Sequence, residues 1–550
     1  MWTRPSSVVW FCTSDPVPEV RRPADAKARR TARPGKARRT ARRGKARRAT
    51  LLGGVVCGAL SFTACGDDAP EPVRFALAEP ELFAEGGALT DAWADFNLDG
   101  YPDRFVGFNE TPSRLYRNGG TEGFTDVAAA VGLTVERSVR TSAWGDFDAD
   151  GDPDLLLGYA GDAPVTALYR NDRDAGFTEM SAEVGLRLDE GTTRQASWVD
   201  FDEDGDLDLF LAMRDRENRL FENRGDEGFV DVAAEVGVAD PRRTVGASWF
   251  DTGDGRLDLI VANMNGDPNA LYLASGDGFS EALHIPEVRD GGRAIGDDAQ
   301  GTVRPCVVDY DADGDFDLFF ANYGPNGLAE RTAEGWVHAA SRVGLDIDSR
   351  YDTCAWGDFD HDGAIDLYVN GTVGGGQHYR DWLLRREGGL TFVDVTPPEI
   401  LELASSHGAT WVDFDLDGDL DLSLAGAADD GMHHLVRNLL RPEYSWHSLQ
   451  VRVLDGAGRA TRAGSEVRLY AAGTDRLLGT RLVDTGSGYD AQSDLPVHFG
   501  VPGGQPVDVE VTIFVRGRRP TVRIENVDPR DYQGVALEVR VGENGEVEGA

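Results

Sequence analysis

The sequence predicts an all-β protein, a seven-bladed β-propeller followed by a small β-sandwich, and three observations carry that prediction. An aspartate-rich loop recurs seven times, beginning at Asp95, Asp146, Asp200, Asp251, Asp309, Asp358 and Asp413. The first and last of these lie 318 residues apart, an average period of 53, and each period holds short apolar runs separated by turn residues, as the blade of a propeller does. The seventh copy stops after His434-Leu-Val-Arg-Asn, one strand short, while Val73-Arg-Phe-Ala-Leu precedes the first loop and matches the missing strand. An N-terminal strand completing the last blade closes the ring and removes an open edge.

Within one period the elements follow in a fixed order. The strand before each loop ends on tryptophan in most copies: Trp93, Trp144, Trp198, Trp249, Trp356 and Trp411, with Val307 at that place in the fifth. Packing between blades accounts for these large apolar residues better than a ring for stacking a ligand. After the loop comes a second strand, such as Asp208-Leu-Phe-Leu-Ala, an uninterrupted apolar run of the kind found in buried sheets. Arg114-Leu-Tyr-Arg-Asn, Ala167-Leu-Tyr-Arg-Asn and Arg219-Leu-Phe-Glu-Asn supply the third strand, and Gly123-Phe-Thr-Asp-Val and its equivalents the fourth.

The loop itself specifies a chemistry. Carboxylates on alternate residues repel one another unless a hard cation gathers them, and the glycine at the sixth position permits the sharp turn that gathering needs. In the second copy Asp146, Asp148, Asp150 and Asp154 are the candidate ligands. The third offers Asp200, Asp202, Asp204 and Asp208, and the fifth Asp309, Asp311, Asp313 and Asp317. The sixth offers Asp358, Asp360, Asp362 and Asp366, and the seventh Asp413, Asp415, Asp417 and Asp421. The first has Asp95, Asn97, Asp99 and Asp103, where the amide keeps an oxygen but lowers the charge, so weaker binding is expected there. The fourth loop is one residue shorter, which puts Asp251, Asp254 and Asp258 out of register and makes that site doubtful. An isolated Asp-Gly is an ordinary hairpin turn. A turn needs no further carboxylate three residues after the glycine, so six near-complete copies point to about six Ca²⁺ sites. An EF-hand is excluded, because its twelfth position requires glutamate and holds Val106, Leu157, Leu211, Phe320, Val369 or Leu424. Ions of this kind are expected as structural staples.

The repeat Trp-x-Asp-Phe-Asp-x-Asp-Gly-Asp-x-Asp-Leu resembles the FG-GAP or VCBS repeat of integrin α-chain propellers, whose loop aspartates bind calcium. The resemblance covers residues 72–438. The remaining residues, 439–550, resemble the ASPIC/UnbV domain at Trp446-His-Ser-Leu-Gln-Val-Arg-Val, Ala463-Gly-Ser-Glu-Val-Arg-Leu-Tyr, Gly486-Ser-Gly-Tyr and Val497-His-Phe-Gly, and the two together resemble the cartilage acidic protein family. Asp490-Ala491 and Phe514-Val-Arg-Gly depart from that domain's usual sequence, which removes support for a binding role in those segments. Alternation in Val507-Asp-Val-Glu-Val-Thr-Ile argues for a β-sandwich without the resemblance.

The first 50 residues hold 15 Lys and Arg against 3 Asp and Glu, which leaves 40 basic and 92 acidic residues and a formal charge of −52 on the remaining 500. Such a chain repels phosphate, so nucleic acid is excluded as a partner. Residues 1–65 read as a basic leader and a lipoprotein-type signal peptide. Its apolar run from Leu51 has the length of a signal h-region, too short to span a membrane, and it ends at Phe62-Thr-Ala-Cys65, which resembles a bacterial lipobox. A lipid on Cys65, followed by the linker 66–71, would anchor the protein to a membrane at the bacterial cell envelope or surface; an ordinary signal would release it as a secreted protein. Cys306 and Cys354 precede the loops of adjacent blades with a one-residue offset, which leaves both a disulfide and two reduced thiols open.

No catalytic constellation is found. All three lysines, Lys27, Lys36 and Lys45, lie in the leader, no His-Glu-x-x-His occurs, and Gly486-Ser-Gly lacks the spacing of a nucleophile elbow. His407 and the pair His433-His434 read as incidental surface histidines. The expected function is therefore a calcium-stabilised, exported binding or adhesion protein that recognises a glycan or an extracellular protein through the propeller's loops or central mouth. The alternative is a secreted calcium-dependent polysaccharide lyase or hydrolase.

Overall fold

The computed structural model describes residues 73–374, 377–403, 407–426, 432–441, 444–542 and 544–546. The leader, the signal peptide and Cys65 lie outside the described residues. No helix among the described residues is long and apolar enough to cross a membrane.

Seven antiparallel blades form the body. Their innermost strands are Ala88–Ala94, Val139–Gly145, Thr193–Val199, Thr244–Phe250, Gly301–Val308, Asp348–Gly357 and Gly408–Val412, each ending at the aspartate loop. Each pairs with the strand after its loop, as Val139–Gly145 does with Asp154–Tyr159. The first six blades complete themselves with two further strands, for example Arg114–Asn118 and Phe124–Asp126 in the first. In the seventh, the N-terminal strand Phe75–Ala78 pairs antiparallel with Leu435–Asn438, so the ring closes by the exchange the sequence predicts. One helical turn, absent from the sequence reading, follows several outer strands and ends on a left-handed glycine, as Ala128–Val131 does at Gly132.

Packing between blades is built on the tryptophans. Trp93, Trp198 and Trp249 are fully buried, Trp144 and Trp411 nearly so. Trp198 joins Ala143 and Leu156 of the second blade to Leu209 and Phe221 of the third, and its indole N–H donates to the Ala143 carbonyl at 3.3 Å. Burying a side chain of this size stabilises by about 2–3 kcal/mol, repeated around the ring. Between the fifth and sixth blades a covalent link is added. Cys306 and Cys354 form a disulfide with Cα atoms 6.4 Å apart, so the one-residue offset is absorbed between neighbouring strands. Closing a loop of 48 residues is worth about 4 kcal/mol in the chain-entropy picture. The double substitution C306S/C354S is expected to lower the unfolding free energy by up to that amount, as urea titration would measure.

After the ring, two small sheets enclose one core. The first runs Leu477–Leu482, Glu466–Ala471, Val507–Thr512 and Thr521–Val527; the second runs Val497–Gly500, Ser448–Asp455 and Leu537–Val541. Val451, Leu469, Val509, Val511 and Val539 fill the space between them, which is the expected sandwich. The tail also enters the ring, which the sequence did not suggest. Ala491–Gln492 adds as a parallel strand to the inner strand of the second blade. The Gln492 side chain accepts from the Trp198 N–H at 2.6 Å and donates to its carbonyl at 3.1 Å. Thr485 does the same for Trp249 with its hydroxyl, at 2.9 and 3.0 Å. Ser493 and Asp494 serve Trp93, whose N–H donates to the Ser493 hydroxyl while its carbonyl accepts from the Asp494 N–H. Side chains here stand in for a neighbouring strand, satisfying backbone groups that would otherwise be buried and unpaired.

Candidate metal centres

Six of the loops share one backbone curl. In five of them the first aspartate accepts from the N–H groups of the fifth and sixth residues: Asp150 and Gly151 donate to Asp146 at 3.0 Å, and Asp362 and Gly363 donate to Asp358 at 3.1 and 2.8 Å. In the third, Gly205 donates to Asp200 at 3.0 Å and Asp204 to Asp202 at 3.2 Å. That curl needs left-handed backbone at the fourth and sixth positions. Glycine takes the sixth, but Ala149 at φ 57° and His361 at φ 57° take the fourth, a conformation that costs a residue with a Cβ and clusters at functional loops.

The ninth aspartate brackets the loop. Asp154 accepts from Phe147 N–H at 3.1 Å through one oxygen and from Asn171 N–H at 2.8 Å through the other. Asn171 ends the third strand of that blade, and its side-chain amide donates to the Phe96 carbonyl in the loop of the preceding blade. Asn118, Asn223 and Asn438 make the same reach to Phe414, Phe147 and Phe359. The Asn that closes the Leu-Tyr-Arg-Asn run thus fixes one blade's loop to the next. Sequence reading treated it only as the end of a strand, although its recurrence was visible.

Of the predicted ligands, the carboxylates at the first, third and ninth positions converge, and those at the fifth do not join them. Oxygens of Asp146, Asp148 and Asp154 lie within 4.8 Å of one another, as do those of Asp200, Asp202 and Asp208, of Asp309, Asp311 and Asp317, and of Asp358, Asp360 and Asp366. The fifth-position aspartates stand differently, each accepting a backbone N–H two residues on, as Asp150 does from Asp152 at 3.0 Å. In the first loop the Asn97 amide donates to Asp99 at 2.9 Å.

The residues present fit a hard divalent cation. Carboxylate oxygens of Asp200, Asp360, Asp366, Asp415 and Asp421 are buried with no hydrogen-bond partner, an arrangement that is costly unless an ion completes it. Burial, with the neighbouring carboxylates adding to it, pushes Asp154 and Asp317 up to about 9, Asp103 to about 8 and Asp146 to about 7, and raises Asp208, Asp358, Asp413 and Asp421 well above the ordinary range. All-oxygen donors of this charge suit calcium better than softer metals.

The fourth loop, doubtful as a site on its sequence, still gathers its carboxylates. Despite the missing residue, Asp251, Asp254 and Asp258 are brought within the same 4.8 Å. The Thr252 hydroxyl donates to Asp258 at 2.6 Å, and Gly253 and Gly255 N–H groups donate to Asp251 at 2.7 and 3.0 Å, which takes up the shorter span. Its charge is also met from within the chain. The Arg519 guanidinium of the tail lies 2.9 Å from Asp251 and 2.7 Å from Glu466.

All seven loops share one face, and the tail domain covers it. Arg459 donates to the Ala149 carbonyl at 3.3 Å, Arg468 to the Gly314 carbonyl at 3.1 Å, and Gln450 to Asp413 at 2.6 Å. Arg462 stands 3.9 Å from Asp200, and the backbone N–H of Arg516 donates to the Glu203 carbonyl at 2.9 Å. Phe514, in the segment that departs from the usual domain sequence, joins the apolar cluster that holds Leu257 of the fourth blade.

A family model described as the FG-GAP-like repeat matches residues 95–157, 200–252 and 309–369. Cartilage acidic protein 1 of Homo sapiens is 27% identical over 320 residues, which is 56% of this chain and 38% of that protein; its Mus musculus counterpart is 27% identical over 358 residues, 63% of this chain and 44% of that one. The chain carries FG-GAP-like repeats and is related to cartilage acidic protein 1. It spans less than half the length of these relatives. Among solved structures, a chain in the crystal structure of BBS1N in complex with ARL6DN aligns with a TM-score of 0.41 at 9% identity, covering 68% of this chain and 98% of that one.

His433 and His434 are buried and His407 is half-buried, so none of the three is a surface residue. His433 is fully buried between Phe83, Phe108 and Tyr116, with the Tyr116 hydroxyl 2.9 Å from one ring nitrogen, and burial lowers its pKa to about 3. His407 lies 2.6 Å from Asp352 and has its ring 3.7 Å from that of Tyr489.

Proposed function

We propose that this chain is a calcium-stabilised, extracytoplasmic binding protein that engages a glycan or an extracellular protein through the propeller face opposite the aspartate loops. The observation that carries this reading is the division of labour between the two faces. One face holds the loop carboxylate clusters found among the described residues, is capped by the tail, and has its end of the channel filled by residues 484–494. Ions there would each brace one loop, which asparagines such as Asn171 tie to the neighbouring blade, so the ligand is left to the other face. Kinship to cartilage acidic protein 1, named for an extracellular tissue, and an acidic chain with a disulfide support the location.

The test is an array of glycans and matrix proteins probed with the calcium-loaded protein. Saturable binding that survives substitution of a loop aspartate, as long as the protein stays folded, is the expected result. Cleavage of a polysaccharide with new unsaturated ends would replace this reading with that of a lyase.

A further inference from the structure

The fourth loop, Asp251-Thr-Gly-Asp-Gly-Arg-Leu-Asp258, is one residue and one oxygen ligand short of the other six. Its oxygens are also spent differently. In the sixth and seventh loops the ninth aspartate keeps an oxygen, Asp366 Oδ2 or Asp421 Oδ2, buried with no hydrogen bond, and the third keeps another, Asp360 Oδ1 or Asp415 Oδ1. In the fourth, Asp258 accepts from the Thr252 hydroxyl at 2.6 Å through one oxygen and from the Ala274 N–H at 2.7 Å through the other. One oxygen of Asp251 accepts from both Gly253 and Gly255. Among the described residues, the loop's one buried carboxylate oxygen without a hydrogen bond is Asp251 Oδ2.

That oxygen faces the tail. The hairpin between the strands Val507–Thr512 and Thr521–Val527 sets its tip on the third loop, where the Arg516 N–H donates to the Glu203 carbonyl at 2.9 Å and the Gly517 N–H to the Glu203 carboxylate. Two residues on, the Arg519 stem crosses the turn of the fourth loop, with its Cδ 3.9 Å from where a Cβ on Gly255 would stand. Its guanidinium stops 2.9 Å from Asp251 Oδ2, off the axis of a hydrogen bond, so charge rather than a directed bond satisfies that oxygen. The other fork nitrogen donates to Glu466 at 2.7 Å. Glu466 also holds Arg468, which donates to the Gly314 carbonyl in the fifth loop. Asp251 and Glu466 have almost no exposure, and one guanidinium lies against both.

Two buried carboxylates need a cation, and here the chain supplies it. Calcium takes its oxygens at about 2.3–2.6 Å, so an ion on Asp251 Oδ2 would stand against the guanidinium, like charge on like charge. Arginines approach other loops without meeting this need. Arg437 lies 2.6 Å from Asp415 and Arg385 3.7 Å from Asp360, each through Oδ2, which leaves the Oδ1 atoms of both aspartates buried and unmet. Arg462 stands farther off, 3.9 Å from Asp200, whose Oδ1 is likewise unmet.

We infer that Arg519 is the cation of the fourth loop: this blade takes no calcium, and the tail is fastened to the ring there whether calcium is present or not. The inference rests on the calcium reading of the other loops. The hairpin that delivers Arg519 carries Phe514-Val-Arg-Gly, so the tail segment that departs from its domain's usual sequence meets the one loop that departs from the repeat.

The test counts calcium ions per chain by native mass spectrometry of the calcium-saturated protein. Relative to the unaltered chain, D146N is expected to hold one ion fewer, D251N the same number and R519Q one more, with the added ion lost again in D251N/R519Q. R519Q is also expected to lower the melting temperature in excess chelator and to recover most of that loss in saturating calcium, which an arginine with a merely structural role would not do. Hydrogen exchange on the unaltered protein needs no variant. Chelator is expected to expose the loops that begin at Asp146, Asp309 and Asp358 and to leave residues 251–258 and 513–520 protected. An ion lost with D251N, none gained with R519Q, a melting loss that calcium does not recover, or residues 251–258 exposed by chelator with the rest would each overturn the role of Arg519 and leave calcium in the other loops. No bound ion in any form of the protein would remove the calcium reading, and this inference with it.

Discussion

Excess chelator lowers the melting temperature strongly at about pH 8 and much less at about pH 5, and added calcium removes most of that difference. The sign follows from the loop carboxylates. Without a cation, burial raises Asp103, Asp146, Asp154 and Asp317 to about 8, 7, 9 and 9 in the folded state, against an ordinary value of 3.8 in the unfolded chain. Their contribution is fully present below the unfolded value and is lost as pH rises through the folded values, so the metal-free protein weakens across the window from about pH 4 to pH 9. A group that holds its proton only when folded changes stability by about 1.4 kcal/mol per pH unit. Calcium bound to the ionised carboxylates is expected to cancel the extra proton uptake of the folded state and flatten the profile. At a free concentration one hundred times Kd it adds about 2.7 kcal/mol at each site. Scanning calorimetry at the two pH values with and without chelator measures all four cases. A melting temperature indifferent to chelator would remove calcium from the loops. Proton release on calcium binding, read as a dependence of binding heat on the buffer, is the companion observation.

The features legible in the sequence were those written in local register. Alternation of aspartates at positions one, three and nine appears as the 4.8 Å clusters, and the split last blade appears as pairing of Phe75 with Asn438. These required only a period and a spacing. The tail's role was not legible because its contacts join residues hundreds of positions apart: Gln492 to Trp198, Thr485 to Trp249, Arg519 to Asp251. No periodicity connects a side-chain amide to the backbone edge it completes. Asp490-Ala491 illustrates the point. Read as a departure from a family pattern, it lost its meaning, yet Ala491 pairs with Ser142 and Asp490 neutralises Arg194 inside the channel. The histidines were misplaced for a related reason. His433 lies in a polar pair at the end of a broken pattern, and only ring closure brings Phe83 and Tyr116 over it.

Ring closure itself supplies the second large effect. At the seam between the first and seventh blades, Arg104 and Asp91 face each other at 3.2 Å with no solvent exposure on either side chain. Arg104 also donates to the His433 carbonyl at 2.8 Å and the Leu424 carbonyl at 2.9 Å in the seventh blade, and lies over Phe83 and Trp93. The Ser423 hydroxyl donates to Asp91 from that same blade. One guanidinium therefore ties the first blade to the last beside the exchanged strand. Removing either partner leaves a buried charge without its counterion, which costs about 3–5 kcal/mol, whereas replacing both with apolar residues of similar volume spares the uncompensated charge. R104M is expected to cost more than D91N, because it strips donors from two carbonyls as well as from Asp91. The pair D91L/R104M is expected to lose less than the sum of the single substitutions. Urea unfolding in saturating calcium measures these differences with the loops held loaded, and additive losses of under about 1 kcal/mol would show that the seam is held by the exchanged strand alone.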